Sequence, residues 1–152
     1  MGRSVVGPGR LQRMEEKKYA GHVIPKQLAK FDPWPTMEWI GETDYKTNVT
    51  FMITRVQAPC VMEEFPHSHE FDMYLHFWSY DPDDMDSLPA EIEIGLGLGE
   101  EREMYTINSP TSVYIPAGMI HCPLIFKRVD KPIILFHTSI ASKYVVDQVI
   151  KD

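Results

Sequence analysis

The sequence contains few cysteines, few basic residues and no long apolar runs. Cys60 and Cys122 are its 2 cysteines among 152 residues, so a disulfide framework or a Cys-x-x-Cys metal site is excluded and a reducing compartment is favoured. The net charge of -7 argues against a protein that neutralises phosphates, and we expect no nucleic-acid partner. No apolar run approaches the roughly 18 residues of a membrane span, and no apolar signal segment follows Met1. We therefore expect a cytoplasmic protein that contacts no membrane.

Proline is abundant by contrast, with 12 residues, where average usage of about 5% would give roughly eight. Proline interrupts helices and occupies turns and sheet edges. Between these prolines lie short segments rich in β-branched and aromatic residues, which predict an all-β sandwich or barrel of one domain. The predicted strands cover residues 49–56, 73–78, 91–94, 103–107, 112–115, 124–126 and 132–140.

The two ends of the chain have a different pattern from its centre. Residues 1–40 are predicted to form an N-terminal arm, with a short helix over 11–20 and an extended proline-rich segment anchored by Trp34 and Trp39. Residues 41–140 form the predicted β domain. Residues 141–152 form a tail whose pattern fits either a strand or a helix.

Histidines provide the strongest chemical signal. His67 and His69 are spaced i, i+2, so on a strand they share one face and can bind one metal ion. Further along, Pro116 and Gly118 predict a turn after which His121 enters the next strand. In a barrel the chain returns on itself, so this distant histidine can complete the site.

These two segments, His67-Ser68-His69 and Pro116-Ala117-Gly118-x-x-His121, resemble the two motifs of the cupin superfamily. The resemblance covers most of residues 45–140. It implies a small antiparallel cupin-type β-barrel (a double-stranded β-helix or jelly roll), often a homodimer, with a metal ion held by the three histidines in its mouth. The glutamate ligand of the first motif is missing here, because Met73 and Tyr74 occupy the positions where it is expected.

The loss of that glutamate changes the charge of the expected site. Three neutral imidazoles leave the full +2 charge of a divalent ion uncompensated, which favours an anionic, chelating small-molecule ligand such as a carboxylate, enolate or thiolate. Iron is the leading metal, with Ni, Mn, Zn or Cu as alternatives. Met73 is either a soft thioether ligand or an apolar filler, and Glu63 is a candidate replacement for the lost carboxylate.

Candidate substrate-binding residues follow from the alternation of strand faces. If Arg55 and Gln57 face inward, Arg55 can clamp an anionic substrate; otherwise it is a surface residue. Phe71 and Met73 have the same parity as the first two histidines and are predicted to line an apolar pocket.

Three further residues are candidates for acid–base catalysis: His137, Tyr74 and Glu63. For His137 the alternative interpretation is a structural histidine in the core or at the surface.

The sequence thus supports three hypotheses. The first is a metal-dependent cupin enzyme that acts on a small anionic, metal-chelating organic molecule, with Fe(II)-dependent dioxygenation as the leading reaction. The second is a non-redox metal-dependent lyase, decarboxylase or isomerase. The third is a small-molecule binding module without turnover.

Overall fold

The computed structural model describes residues 17–31, 33–146 and 148–150. Most of the predicted helix at 11–20 lies outside these ranges, and Ala20–His22 forms a 3-10 helix. Other short helical turns are Pro82–Asp84 and Gly99–Glu101, both 3-10, and a π-helix at Gly41–Tyr45. Within the described part of the chain, no helix has the length and apolar character needed to cross a membrane.

The protein is an antiparallel β-sandwich, as the alternating sequence pattern predicts. Numbered along the described chain, the strands are β1 (Ala29–Phe31), β2 (Trp34–Trp39), β3 (Thr50–Val56), β4 (Cys60–Glu63), β5 (His67–Ser68), β6 (Met73–Ser79), β7 (Ala90–Leu96), β8 (Glu103–Ile107), β9 (Thr111–Ile115), β10 (His121–Val129), β11 (Ile133–Ser139) and β12 (Gln148–Val149).

These strands form two sheets. The first sheet has the order β1-β2-β3-β11-β6-β9, and the second has the order β12-β5-β10-β7-β8, with β4 also paired to β10. All seven predicted strands are present, although β10 is longer than its predicted core. Strands β1 and β2, from the predicted arm, extend the first sheet, and β12, from the predicted tail, extends the second. The division of the chain at residues 40 and 140 stays a prediction.

The core lies between the sheets and is built from the inward side chains of each strand. On β6, Met73, Leu75 and Phe77 are buried, while the alternate residues face outward. Phe77 packs against Phe126 of the opposite sheet, with ring centroids 6.2 Å apart. The apolar core reaches a cavity, because Met73, Leu75 and Leu135 belong to the core and also line the cavity beside His67 and His121.

Candidate metal centre

Three buried histidines lie close together, and two of them, His67 and His121, line the cavity. His67 on β5 is the register partner of His121 on β10, and His69 follows directly after β5. Ring centroids are separated by 4.4 Å for His67 and His121, 5.1 Å for His69 and His121, and 5.0 Å for His67 and His69. One ligand nitrogen from each ring lies within 4.8 Å of the others. The cluster is one that could hold a single metal ion.

Each of these imidazoles has its Nδ1 next to a backbone carbonyl. The acceptors are Phe65 O for His67 at 3.1 Å, Val145 O for His69 at 2.7 Å and Met119 O for His121 at 3.0 Å. Because a carbonyl only accepts, each Nδ1–H donates and each Nε2 keeps its lone pair. Metal-binding histidines in proteins typically have their second nitrogen fixed in this way.

The His121 ring provides a direct test of whether the residues fit a metal. Its Nε2 is buried and has no hydrogen-bond partner in the structure, although burying an unsatisfied polar atom is costly. Burial lowers the pKa of His121 to about 4, and the neighbouring His67 and His69 add to the lowering. The ring is therefore neutral at pH 7. A set of neutral imidazole nitrogens fits a divalent transition metal.

The turn between β9 and β10 connects the two histidine segments. Gly118 has φ +84°, a left-handed conformation that glycine adopts without strain. Its N–H donates to His69 O at 2.7 Å, and the N–H of Ala117 donates to Asp72 Oδ1 at 2.9 Å. The turn that precedes His121 is thus held against the segment that carries His69.

A backbone irregularity follows His121. The ladder between β10 and β7 shifts register between His121 and Leu124, and Cys122 has φ +84°. Both His121 and Cys122 consequently line the cavity, whereas regular alternation would turn them to opposite faces. Burial raises the pKa of the Cys122 thiol to about 12, so it is not a thiolate at neutral pH.

The cavity has a volume of about 340 Å³ and walls that are mainly apolar. Among its described lining residues there is no lysine or arginine, and the acidic residues are Glu38 and Glu63. The lining comprises Trp34, Thr36, Glu38, Met52, Thr54, Met62, Glu63, His67, Met73, Leu75, His121, Cys122, Leu124, Leu135, His137 and Tyr144.

Three of the other predicted site residues lie at this cavity: Glu63, Met73 and His137. His137 Nε2 is 2.7 Å from Met73 Sδ, so its N–H donates to the thioether and its Nδ1 is left buried without a hydrogen-bond partner. Burial lowers the pKa of His137 to about 3, assisted by the three neighbouring histidines. His137 is therefore a neutral imidazole at the cavity wall, and its catalytic role stays a prediction.

Two predicted substrate-binding residues lie elsewhere. On β3 the even-numbered Thr54 and Met52 face the cavity, so Arg55 faces the opposite side of the sheet, where its guanidinium lies 5.9 Å from the Tyr80 ring. Gln57 is exposed beyond the end of β3. Of the two orientations that the sequence left open for Arg55, the structure has the outward one; alternation identifies residues that share a face but not which face is buried.

Tyr74 and Phe71 are also absent from the cavity wall. Tyr74 stacks on Tyr114 of β9, with ring centroids 5.1 Å apart on the outer side of the first sheet, which corrects its proposed place in the site. Phe71 stacks instead on the His69 ring at 4.8 Å, so it supports a histidine rather than lining the pocket.

Four of the lining residues that sequence reasoning missed lie outside the predicted β domain of residues 41–140. Trp34, Thr36 and Glu38 reach the cavity from β2, and Tyr144 reaches it from the C-terminal segment. The alternation Trp34-x-Thr36-x-Glu38 is a strand signal that could have identified the first three. No local pattern marks Tyr144, since its place depends on contacts with residues distant in sequence.

Comparison with known proteins supports the fold. Structures of Bacillus subtilis oxalate decarboxylase are similar to this chain. One of them, a single-residue variant, has a TM-score of 0.57 and 10% sequence identity. The match covers 79% of this chain and 29% of that chain. This chain has the cupin fold. A second oxalate decarboxylase structure, determined at low pH, matches equally well over 28% of its length, and so does one used to study the Mn(II) centres of that enzyme.

This chain spans less than a third of the length of the solved structures that it matches. No protein family and no curated protein matches the sequence. The three-histidine site supports a metal-dependent cupin with one metal ion. At 10% identity the likeness supports the fold alone, so conclusions about chemistry rest on the residues of the three-histidine site.

Proposed function

We propose that this cupin is a metal-dependent enzyme acting on a small anionic organic molecule that chelates the metal, and that its reaction is an Fe(II)-dependent dioxygenation. The observation that carries the proposal is the cluster of three imidazoles at a largely apolar cavity. Among the described residues, the cluster of candidate ligand atoms contains no carboxylate. A bound iron would supply Lewis acidity and the capacity for dioxygen chemistry.

The charge of the ligand set determines which molecules bind. His67, His69 and His121 contribute no negative charge, so a divalent ion held by them retains its +2 charge. Three protein ligands also leave coordination positions open, which a chelating enolate, carboxylate or thiolate can occupy.

The walls of the cavity narrow this class further. Met52, Leu124 and Leu135 offer apolar surface, while Glu38 and Glu63 repel a second negative charge. No described lining side chain is a lysine or arginine that could balance such a charge. A substrate with one chelating anionic end and an apolar body therefore fits this cavity better than a compact dianion.

Two side chains of the cavity can transfer or hold a proton. Burial keeps the His137 imidazole neutral, so it can accept a hydrogen bond at Nδ1 from a substrate. Glu63 lies at the wall near Tyr144 and Cys122, and its charge contributes, after burial, to raising the pKa of both groups. We propose Glu63 as the general base and His137 as a substrate-positioning group.

The presence of a carboxylate at the cavity also favours a second candidate, a non-redox decarboxylase, lyase or isomerase. Such reactions need a base close to the substrate but no dioxygen, and Glu63 meets that need. The similar oxalate decarboxylase is described with Mn(II) centres, which makes manganese a reasonable metal for this alternative.

Metal content and oxygen consumption separate the two candidates. Purified protein is analysed for metals, loaded anaerobically with Fe(II), and then tested for oxygen uptake with β-diketones and small thiols. Uptake that is lost in His67→Ala and retained in the His22→Ala control supports the dioxygenase. Turnover of a carboxylic acid with Mn(II) but no oxygen uptake replaces the dioxygenase by the second candidate.

We further propose that the protein is a homodimer. The outer side of the first sheet carries aromatic side chains that remain partly exposed, with exposed fractions of 45% for Trp78 and 51% for Tyr114. Exposed apolar patches of this kind are typical of protein–protein contacts. Sedimentation equilibrium at micromolar concentration tests this, and a monomer mass throughout contradicts it.

A further inference from the structure

The C-terminal segment returns to the metal centre after the last long strand. We call residues 141–146 and 148–150 the C-terminal strap. Its strand β12 pairs with β5, where Val149 is the register partner of His67 and Gln148 that of Ser68. The N–H of Ile150 donates to Pro66 O at 2.7 Å. The strap thus continues the second sheet beside the strand that carries His67.

The beginning of the strap is attached to a different part of the barrel. Ala141 O accepts a hydrogen bond from Thr50 Oγ1 at 2.9 Å, and Ser142 O accepts one from the N–H of Glu42 at 2.8 Å. The strap is therefore fixed on both sides of its central residues, which lie over the histidine cluster.

The strap supplies the carbonyl that orients one of the histidines. His67 and His121 donate to carbonyls only two residues away, at Phe65 and Met119. His69 donates instead to Val145 O, which is 76 positions away and forms the shortest of the three contacts at 2.7 Å. Two ligands have their Nδ1 oriented by their own strand segments, whereas the carbonyl that orients Nδ1 of the third comes from the strap.

Tyr144 adds an aromatic contact to the same ligand. Its ring centroid lies 4.9 Å from that of His69 and 4.9 Å from that of His137, in the latter case edge to face. The ring also lines the cavity. Burial raises the pKa of its hydroxyl, so Tyr144 remains protonated across the physiological range.

We propose that the C-terminal strap positions one ligand of the metal centre. The Val145 carbonyl and the Tyr144 ring orient His69, so that metal binding and strap docking stabilise each other. The inference depends on the metal site of the proposed function but not on the reaction. A ligand that is pre-oriented loses less freedom on binding, and backbone carbonyls that orient metal-binding histidines typically affect metal affinity by about 10–100-fold. Because such coupling is reciprocal, the metal must also tighten the strap.

Hydrogen exchange on the full-length protein tests the reciprocal effect without any substitution. Amide exchange is measured for peptides covering the strap, with and without saturating Co²⁺. The internal reference is the start of β7, Ala90–Ile92, which pairs with the end of β10 opposite to His121. We expect Co²⁺ to slow exchange in the strap by about tenfold or more and to leave the start of β7 unchanged. Equal strap exchange in both states overturns the proposal.

Substitutions at Tyr144 test the forward effect. Co²⁺ affinity and the visible spectrum of bound Co²⁺ are measured for Tyr144→Ala, for the conservative Tyr144→Phe and for Val146→Ala, a substitution at an exposed strap residue. We expect Tyr144→Ala to lower the affinity by about 10–100-fold and to change the spectrum. Tyr144→Phe and Val146→Ala are expected to behave as wild type, because an aromatic ring is retained at position 144 in both.

The outcomes separate this inference from the proposed function. If the wild type binds Co²⁺ and Tyr144→Ala binds it with the same affinity and spectrum, the strap proposal fails while the metal site stands. If the wild type binds no Co²⁺, the metal site fails and the strap proposal fails with it. Circular dichroism of the metal-free variants verifies that each is folded, and His69→Ala serves as the reference for a lost ligand.

Discussion

His67 and His121 are register partners on adjacent antiparallel strands, with ring centroids 4.4 Å apart. The pairing of β5 with β10 thus joins two segments that are far apart in sequence into one site. Because the strand register fixes the two imidazoles beside each other, they lose less freedom when they bind a metal ion.

Removal of one of these imidazoles should abolish tight metal binding. His121→Ala leaves two histidine ligands, and we expect the bound metal to fall from about one equivalent to below roughly 0.1 after dialysis. The matched control is His22→Ala, because His22 is an exposed histidine outside the strands. Elemental analysis measures both, and an unchanged stoichiometry in His121→Ala would exclude this residue as a ligand.

Gly95 should be sensitive to the addition of a single methyl group. A Cβ at this position would lie 2.9 Å from Cys122 O, directly after His121. Gly95→Ala must displace that backbone, so we expect a loss of about 1–3 kcal/mol of stability together with weaker Co²⁺ binding. At Gly21 a Cβ meets nothing within 4 Å, so Gly21→Ala is the control. Equal chemical denaturation midpoints for the two variants would contradict the close approach.

The buried His137 should make the metal-free protein sensitive to acid. Its pKa is about 3 in the folded protein, against 6.5 for a free histidine side chain, so the unfolded chain binds a proton first as the pH falls. Stability is therefore complete above about pH 6.5 and declines towards pH 3, by about 1.4 kcal/mol per pKa unit. His121 acts in the same direction.

Urea denaturation of the metal-free protein between pH 4 and pH 7 measures this slope. We expect His137→Gln to reduce the dependence on pH, because the variant has no titratable group at that position. If the variant and the wild type lose stability in parallel, His137 does not remain neutral in the folded state.

The acidic side chains of the cavity should select against dianions. We expect the metal-loaded protein to bind a monoanionic chelator with an apolar tail, such as an alkyl hydroxamate, at least tenfold more tightly than oxalate. Glu38→Gln and Glu63→Gln should each improve oxalate binding by several-fold, because each removes one negative charge from the wall. Glu100→Gln, at an exposed position, is the control. Calorimetry showing a preference for oxalate in the wild type would overturn this account of specificity.

The histidine triad and the all-β fold could be predicted from sequence because both depend on local patterns. His67 and His69 share a strand face by their spacing, and the turn at Pro116 and Gly118 leads directly into His121. The cupin motifs add the expectation that these segments meet, and the structure brings the three rings together.

The side chains around the triad were harder to predict, for two physical reasons. Alternation groups Arg55 with Phe51, but only the packing of the first sheet against the second determines that this group faces outward. Tyr144 reaches the cavity because its segment is attached through the pairing of β12 with β5, two strands distant in sequence, and no short pattern encodes such pairing.

Anomalous X-ray diffraction from crystals of the full-length protein grown with Zn²⁺ tests the central claim most directly. We predict one strong peak per chain, about 2.0–2.1 Å from the Nε2 atoms of His67, His69 and His121, with each Nδ1 still directed at its backbone carbonyl. A peak elsewhere on the chain, or no peak at saturating Zn²⁺, would contradict the three-histidine metal centre.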